Sequence, residues 1–317
     1  MVSKLKQWLY AHRNHRSLTF TDKLIYRLGD HNLAEMSGSL VYFMLLSIFP
    51  FLIALLNTLK FTNVFNPEVI LEYISMLPDE LGTIVYDFVY DLINSSSGGL
   101  LIVSIIAGLW TASNGINQVI NNINRAYGIH EKRSFLIAKL LSILFAIALI
   151  VLIILLVVSQ VFGQLILDAV SNYIALDAAV ELLIQVARYA IPFIFMVIIF
   201  TLLYKFAPKS EVRELLTLKL ILPGALFATI GIGLMTFSFG FYVSNFSNYS
   251  VTYGSLGGII VMLIWMYLVS LMLLLGGEIN ATLYSMTYFP DLNKWPRSDS
   301  IIKNFIGTFT SPVTTDN

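Results

Sequence analysis

Asn114, Asn117, Asn121 and Asn124 recur in the segment WTASNGINQVINNINRAYG at i, i+3, i+7 and i+10, which sets four amides on one face of a helix. Ser113 and Gln118 lie beside that face. Each amide brings two donors and an acceptor. Such a face either bonds across to neighbouring helices or lines a hydrated path. Glu278, in LLLGGEINATL with Asn280 two residues on, is a carboxylate near the end of a long apolar stretch. Ionisable groups at that depth are functional candidates. The plainer alternative is an interfacial carboxylate paired with a basic residue such as Arg125 or Lys139. Arg188, in RYAIPF with Pro192 one turn later, opens another apolar stretch. It either snorkels toward headgroups or draws anions toward an outer vestibule. Ser113, Asn114, Asn117, Asn121, Arg125, Arg188, Glu278 and Asn280 make up the candidate substrate path.

Signatures of catalysis are missing. Cysteine is absent, and the four histidines, His12, His15, His31 and His130, show no metal-ligand spacing. No phosphate-binding loop, GxSxG elbow or dinucleotide fingerprint occurs. No catalytic, cofactor-binding or metal-binding residue is assigned, no cofactor is expected, and the chain is read as a non-enzyme.

The elements that must position these groups are membrane spans. Hydrophobic residues make up 57% of the 317 and charged ones only 12%, and the mean hydropathy is +0.79. A soluble domain carries roughly 25% charged residues, so lipid is the solvent that accepts this surface. Apolar stretches near 38–60, 98–119, 138–163, 186–206, 217–242 and 256–283 each reach the ~20 residues that a helix needs to cross a bilayer core. The first is read as a true span, since residues 1–37 precede it and it is longer than a signal sequence. Unpaired backbone groups are costly in lipid, so the spans are helical.

The expected fold is all-α, a bundle of six transmembrane helices. Residues 1–37 form a cytoplasmic amphipathic segment, 38–284 the membrane domain, and 285–317 a cytoplasmic tail. All of the 19 basic residues except Lys60 and Arg188 fall on one side of this arrangement. The positive-inside rule makes that side cytoplasmic, with both termini inside. In the N-terminal segment Phe20, Leu24, Ile25 and Leu28 share a helical face expected to rest on the inner surface. The first external loop, 61–97, carries six acidic residues' worth of negative charge at Glu68, Glu72, Asp79, Glu80, Asp87 and Asp91, and helical periodicity over 79–93. The fifth span carries small residues at four-residue spacing, Gly224 with Ala228 and Ala225 with Thr229 and Gly233, as close helix packing requires.

The chain resembles the YihY/BrkB family of bacterial inner-membrane proteins, once called ribonuclease BN. The matching pieces are SLVYFMLLSIFPFLIAL, GLWTASNGINQVINNINRAYGIHEKRSF, RYAIPFIFMVIIFTLLYKFAP and YGSLGGIIVMLIWMYLVSLMLLLGGEINATL, running from about residue 33 to 285. The segment AEMSGSLVYF replaces a more usual alanine-rich run. The resemblance implies six helices in the cell membrane and supplies no firm activity. The ribonuclease label is regarded as a misassignment, and transport of lipid-linked or small polar cargo is suspected for the family. The expected function is therefore translocation of a lipid or small polar solute of unknown identity. The alternative is a membrane scaffold or assembly partner, in which the Asn face and small residues are only glue. Membrane lipids are the expected partners, with a homo-oligomer open and nucleic acid not expected.

Overall fold

A computed structural model describes residues 16–60, 98–129, 133–157, 178–246 and 256–288, together with the single positions 90 and 159. Every described element is a helix. In chain order these are α1 (Arg16–Asp30), α2 (Leu33–Lys60), α3 (Gly98–Ala126), α4 (Phe135–Val157), α5 (Ala178–Phe206), the short α6 (Ser210–Arg213), α7 (Leu218–Phe246) and α8 (Leu256–Tyr288). Helices therefore cover most of each of the six predicted stretches; the end of the third, 160–163, lies outside the described residues. The expected helix over 79–93 apart from position 90, most of the loop between the fifth and sixth stretches, and the tail beyond 288 lie outside the described residues, while 285–288, expected in the tail, continue α8.

Four of the helices are long and apolar enough to cross a membrane: Phe135–Leu156 of α4, Leu182–Phe206 of α5, Leu218–Val243 of α7 and Gly257–Tyr288 of α8. Among the described residues α2 carries a shorter apolar segment, Leu33–Ile48. Asparagines dilute the hydropathy of α3 in its C-terminal half. The exposed surface is itself apolar: Phe135, Leu136, Ile137, Leu140 and Leu144 of α4 are all more than half exposed. So are Ile102 and Ile106 of α3, Leu182 and Leu183 of α5, and Leu234 and Phe237 of α7. Contiguous apolar area on this scale is not stable against water. Several hydroxyl side chains bond back to their own helices, as Ser37 does to the Leu33 carbonyl, Thr229 to Ala225 and Thr282 to Glu278, so these three need no partner across the bundle.

The six long helices close a ring in the order α2, α3, α4, α5, α7, α8 and back to α2, with α8 also touching α3 and α1. Ile120, Ile123, Leu203, Tyr204 and Ile221 are fully buried at its centre. Two junctions are set by local chemistry. Asn32, at φ 49°, takes the left-handed conformation that turns α1 into α2, which asparagine tolerates better than most residues. Gly128, at φ 71°, ends α3. Its N–H donates to the Arg125 carbonyl and that of Ile129 to Asn124, both at 2.9 Å, a Schellman cap that needs glycine at this point. The end of α5 is held by cations: Lys205 Nζ donates to the carbonyls of Arg213 and Leu216, and Arg133 to that of Pro208.

α7 and α8 approach closely. Gly224 N–H donates to Asn280 Oδ1 at 2.8 Å, one residue past Pro223, where the ring has already disturbed the backbone ladder. Ala225, Ala228 and Thr229 are buried, so those members of the predicted small-residue rows do face protein. Gly233 is exposed, with nothing within 4 Å of where its Cβ would stand.

Candidate functional site

Three of the described charged residues meet inside the bundle. Glu278 on α8 is 3% exposed. Its Oε2 accepts a hydrogen bond from Arg27 Nε at 3.2 Å, and its Oε1 is in contact with His31 Nδ1. A carboxylate accepts, so the bond requires the proton on Nδ1. The other ring nitrogen of His31 lies 3.8 Å from Asp30 Oδ2. Arg27 also donates through Nη2 to the carbonyl of Ala126, the last residue of α3. One guanidinium thus ties α1, α3 and α8 together, a use that suits its rigid fork of donors.

This meeting depends on how α1 is seated. Asp22, Lys23 and Arg27 are buried, Phe20, Leu24 and Leu28 are half-buried, and Ile25 is more than half exposed. The helix therefore turns part of its charged side toward α8. Burial lowers the Lys23 pKa, and the neighbouring Arg27 lowers it further, against the opposing pull of Asp22. Beyond Ala126, Tyr127 packs edge-on against Tyr284, with ring centroids 5.3 Å apart. Burial, first of all, raises the Tyr127 pKa well above the ordinary phenol range, with Glu278 adding to it and Arg27 opposing, so its hydroxyl stays neutral. That hydroxyl is buried with no hydrogen-bond partner among the described residues.

Beside the cluster lies a small recess of about 10 Å³, walled by His31, Asn122, Arg125, Gly277 and Glu278 over an apolar floor that includes Ile123 and Leu274. That is roughly the room of one water molecule. Of the candidate path residues, the structure brings Arg125 and Glu278 to this recess. Arg125 is exposed at its edge and does not form the Glu278 ion pair, which goes to Arg27 and His31 instead.

The other candidates are distributed around it. Asn114 is half-buried and accepts from Lys139 Nζ at 2.8 Å. That ammonium also stands 3.8 Å above the centroid of the Trp110 ring. Ser113 is buried and donates to the Trp110 carbonyl within its own helix. Asn117 and Asn121 are half-buried on the same face. Asn280 takes the bond from Gly224, while its Nδ2 is buried with no acceptor among the described residues. Arg188 is elsewhere: its Nε donates to the Ser159 carbonyl at 3.0 Å, tying the start of α5 to the chain beyond α4.

Asn124, the last member of the predicted face, is fully buried. Its Nδ2 donates to the carbonyls of Ile120 and Ala207, and its Oδ1 accepts from the Lys209 backbone N–H. It clamps the turn after α5. The residues that reading the sequence missed are Arg27, His31 and Asn122. A signal for the first two existed: Lys23, Arg27 and His31 repeat every four residues and form a second stripe on α1 beside its apolar one. Among the described residues no three His, Asp or Glu side chains are grouped so as to hold a metal ion.

The family model described as virulence factor BrkB matches residues 24–301. A putative ribonuclease-like protein, YfkH, of Bacillus subtilis is 37% identical over 278 residues, covering 88% of this chain and 100% of that protein. A UPF0761 membrane protein of Xanthomonas euvesicatoria is 26% identical over 307 residues, 93% of this chain and 68% of the relative. Another UPF0761 membrane protein, of Actinobacillus pleuropneumoniae, is 28% identical over 259 residues, 80% of this chain and 89% of that one. No solved structure matches. The chain belongs to the virulence factor BrkB family and, with its apolar helices, is a membrane protein.

Proposed function

We propose that this BrkB-family chain is a multi-pass inner-membrane protein of six spans with both termini cytoplasmic, and that it translocates a lipid or a small polar solute. The two helices that supplement the four apolar ones have the reach for it. α2 has 28 residues and α3 has 29, each about 42 Å long against a hydrocarbon core of about 30 Å. α8, with 33 residues, exceeds that core by more. Trp110, half exposed on α3 beside the start of α4, suits the inner interface, where aromatic belts form. On this placement the asparagine-bearing end of α3 and the Glu278 end of α8 reach the cytoplasmic side together. The distribution of Lys and Arg supports the same orientation.

The observation that carries the translocation reading is the buried Arg27–Glu278–His31 cluster. A buried ion pair adds little net stability over well-packed apolar side chains. A scaffold would be served as well by a dry core. Charges held at the inner mouth of a bundle, next to a recess and below a face of half-buried amides, suit the handling of a polar group. No catalytic role is assigned to any residue.

Two experiments test these parts separately. Reporter fusions after residues 30, 130, 212 and 300 are expected to read cytoplasmic, and those near 85, 175 and 250 external. One internal position scoring external would remove the six-span arrangement. For translocation, the purified chain in liposomes is expected to move fluorescent phosphatidylglycerol or labelled phosphate across the bilayer. Asn117→Leu and Asn121→Leu should abolish that flux while leaving insertion and thermal unfolding near the wild type. Wild-type flux no greater than in empty liposomes, for both probes, would favour the scaffold.

A further inference from the structure

The recess beside Glu278 differs in its donors and acceptors from the cluster it adjoins. Both Glu278 oxygens are engaged, one by Arg27 and one by His31. The Ala126 carbonyl at the end of α3 is engaged by Arg27 as well. The carboxylate and the helix-end carbonyl beside the recess are therefore occupied. The donors are not. Asn122 Nδ2 is buried with no acceptor among the described residues. Arg125, which lines the recess from the next turn face and is exposed, makes no hydrogen bond or ion pair among them. An amide donor shut away from water without an acceptor is costly, and a guanidinium is built to meet paired oxygens.

We propose that this recess receives an oxygen of an oxyanion, a phosphate or a phosphate-like headgroup, with Asn122 Nδ2 and Arg125 as its donors. The space of about 10 Å³ admits one oxygen atom while the rest of the group stays outside with Arg125. Two features that would repel an anion are masked. The Glu278 charge is matched by Arg27. The negative end of the α3 dipole, which falls at Ala126, is covered by the same guanidinium. The remaining carboxylate nearby, Asp30, is reached by the His31 nitrogen that does not face Glu278 and does not line the recess. The apolar floor excludes water from the inner oxygen, which strengthens the amide bond to it. The site deepens the translocation reading by naming the chemistry of the cargo, and it rests on that reading only for its role, not for its ability to bind.

Its test is accordingly a binding measurement without flux. The full chain, purified in neutral detergent, is titrated with inorganic phosphate, and in parallel its retention of phosphatidylglycerol over phosphatidylcholine is measured in mixed vesicles. At least one of the two should bind, and Arg125→Gln and Asn122→Leu should each weaken it tenfold or more. Lys219→Gln, at an exposed basic residue that does not line the recess, should leave binding unchanged and so controls for surface charge. Asn122→Leu removes no observed hydrogen bond, and its melting temperature should match or exceed the wild type, which separates a lost site from a lost fold. Binding of phosphate identifies a free oxyanion as the ligand; binding of phosphatidylglycerol alone identifies a headgroup. Binding of neither, or equal losses in Arg125→Gln and Lys219→Gln, overturns the proposal. Binding without flux would leave the site standing and remove the translocation reading.

Discussion

Glu278→Ala is expected to cost about 3–5 kcal/mol, the usual penalty for breaking a buried ion pair from one side, and to release α1 from the bundle. The carboxylate is the group that both Arg27 and His31 share, and all three side chains are 5% exposed or less. Removing it leaves the Arg27 guanidinium buried without its carboxylate partner, though still bonded to the Ala126 carbonyl. Burial of an uncompensated charge, rather than loss of the attraction, supplies most of the cost. Backbone amides of Leu24 to Asp30 should then lose protection from hydrogen exchange, with little change in α4 or α5. Replacing the pair together, by Arg27→Met with Glu278→Met, should recover most of the stability, because matched apolar side chains fill the same space without desolvation. The strong non-additivity expected in that double-mutant cycle is the signature of direct contact. Additive losses, or unchanged exchange in α1, would contradict the geometry.

That prediction could not have been written from the sequence, and the reason is physical. Helix positions were legible because lipid imposes one rule on every side chain it touches: α4 from Phe135 to Val157 contains a single charge, Lys139. Glu278 was legible as an exception to the same rule. Its partners lie 251 and 247 residues away, in a helix with two stripes. Phe20, Leu24 and Leu28 make one and Lys23, Arg27 and His31 the other. Either stripe makes a chemically sensible inner face, one against lipid and the other against a carboxylate. Periodicity alone does not choose between them. The asparagine face had the same limit. Spacing placed four amides in line, but Asn114 answers Lys139, Asn124 clamps the turn at Ala207, and Asn117 and Asn121 stay half-buried. Which amide is glue depends on the neighbour that arrives opposite it. Asn122, off that line, escaped notice for the same reason.

The small residues of α7 offer a graded test in which position, not residue type, decides the outcome. A Cβ on Gly224 would stand 2.1 Å from the Gly276 carbonyl oxygen and 2.4 Å from Asn280 Oδ1. The first obstacle is backbone and cannot rotate away, so Gly224→Ala must push α7 and α8 apart. It must also stretch the Gly224 N–H bond to Asn280. Overpacking of this kind costs about 1–3 kcal/mol, and loss of a buried hydrogen bond adds roughly 1–3 more. Gly231→Ala meets Met272 Sδ at 2.9 Å, the end of a flexible side chain that can move aside, and should cost under about 1 kcal/mol. Gly233→Ala meets nothing within 4 Å. It should be neutral or gain up to about 1 kcal/mol, since alanine surrenders less backbone freedom than glycine in a helix. Thermal unfolding of the three variants in one detergent should rank them in that order, with Gly224→Ala well below the rest. Equal melting temperatures for Gly224→Ala and Gly233→Ala would show that α7 and α8 do not cross at Gly224 and Gly276.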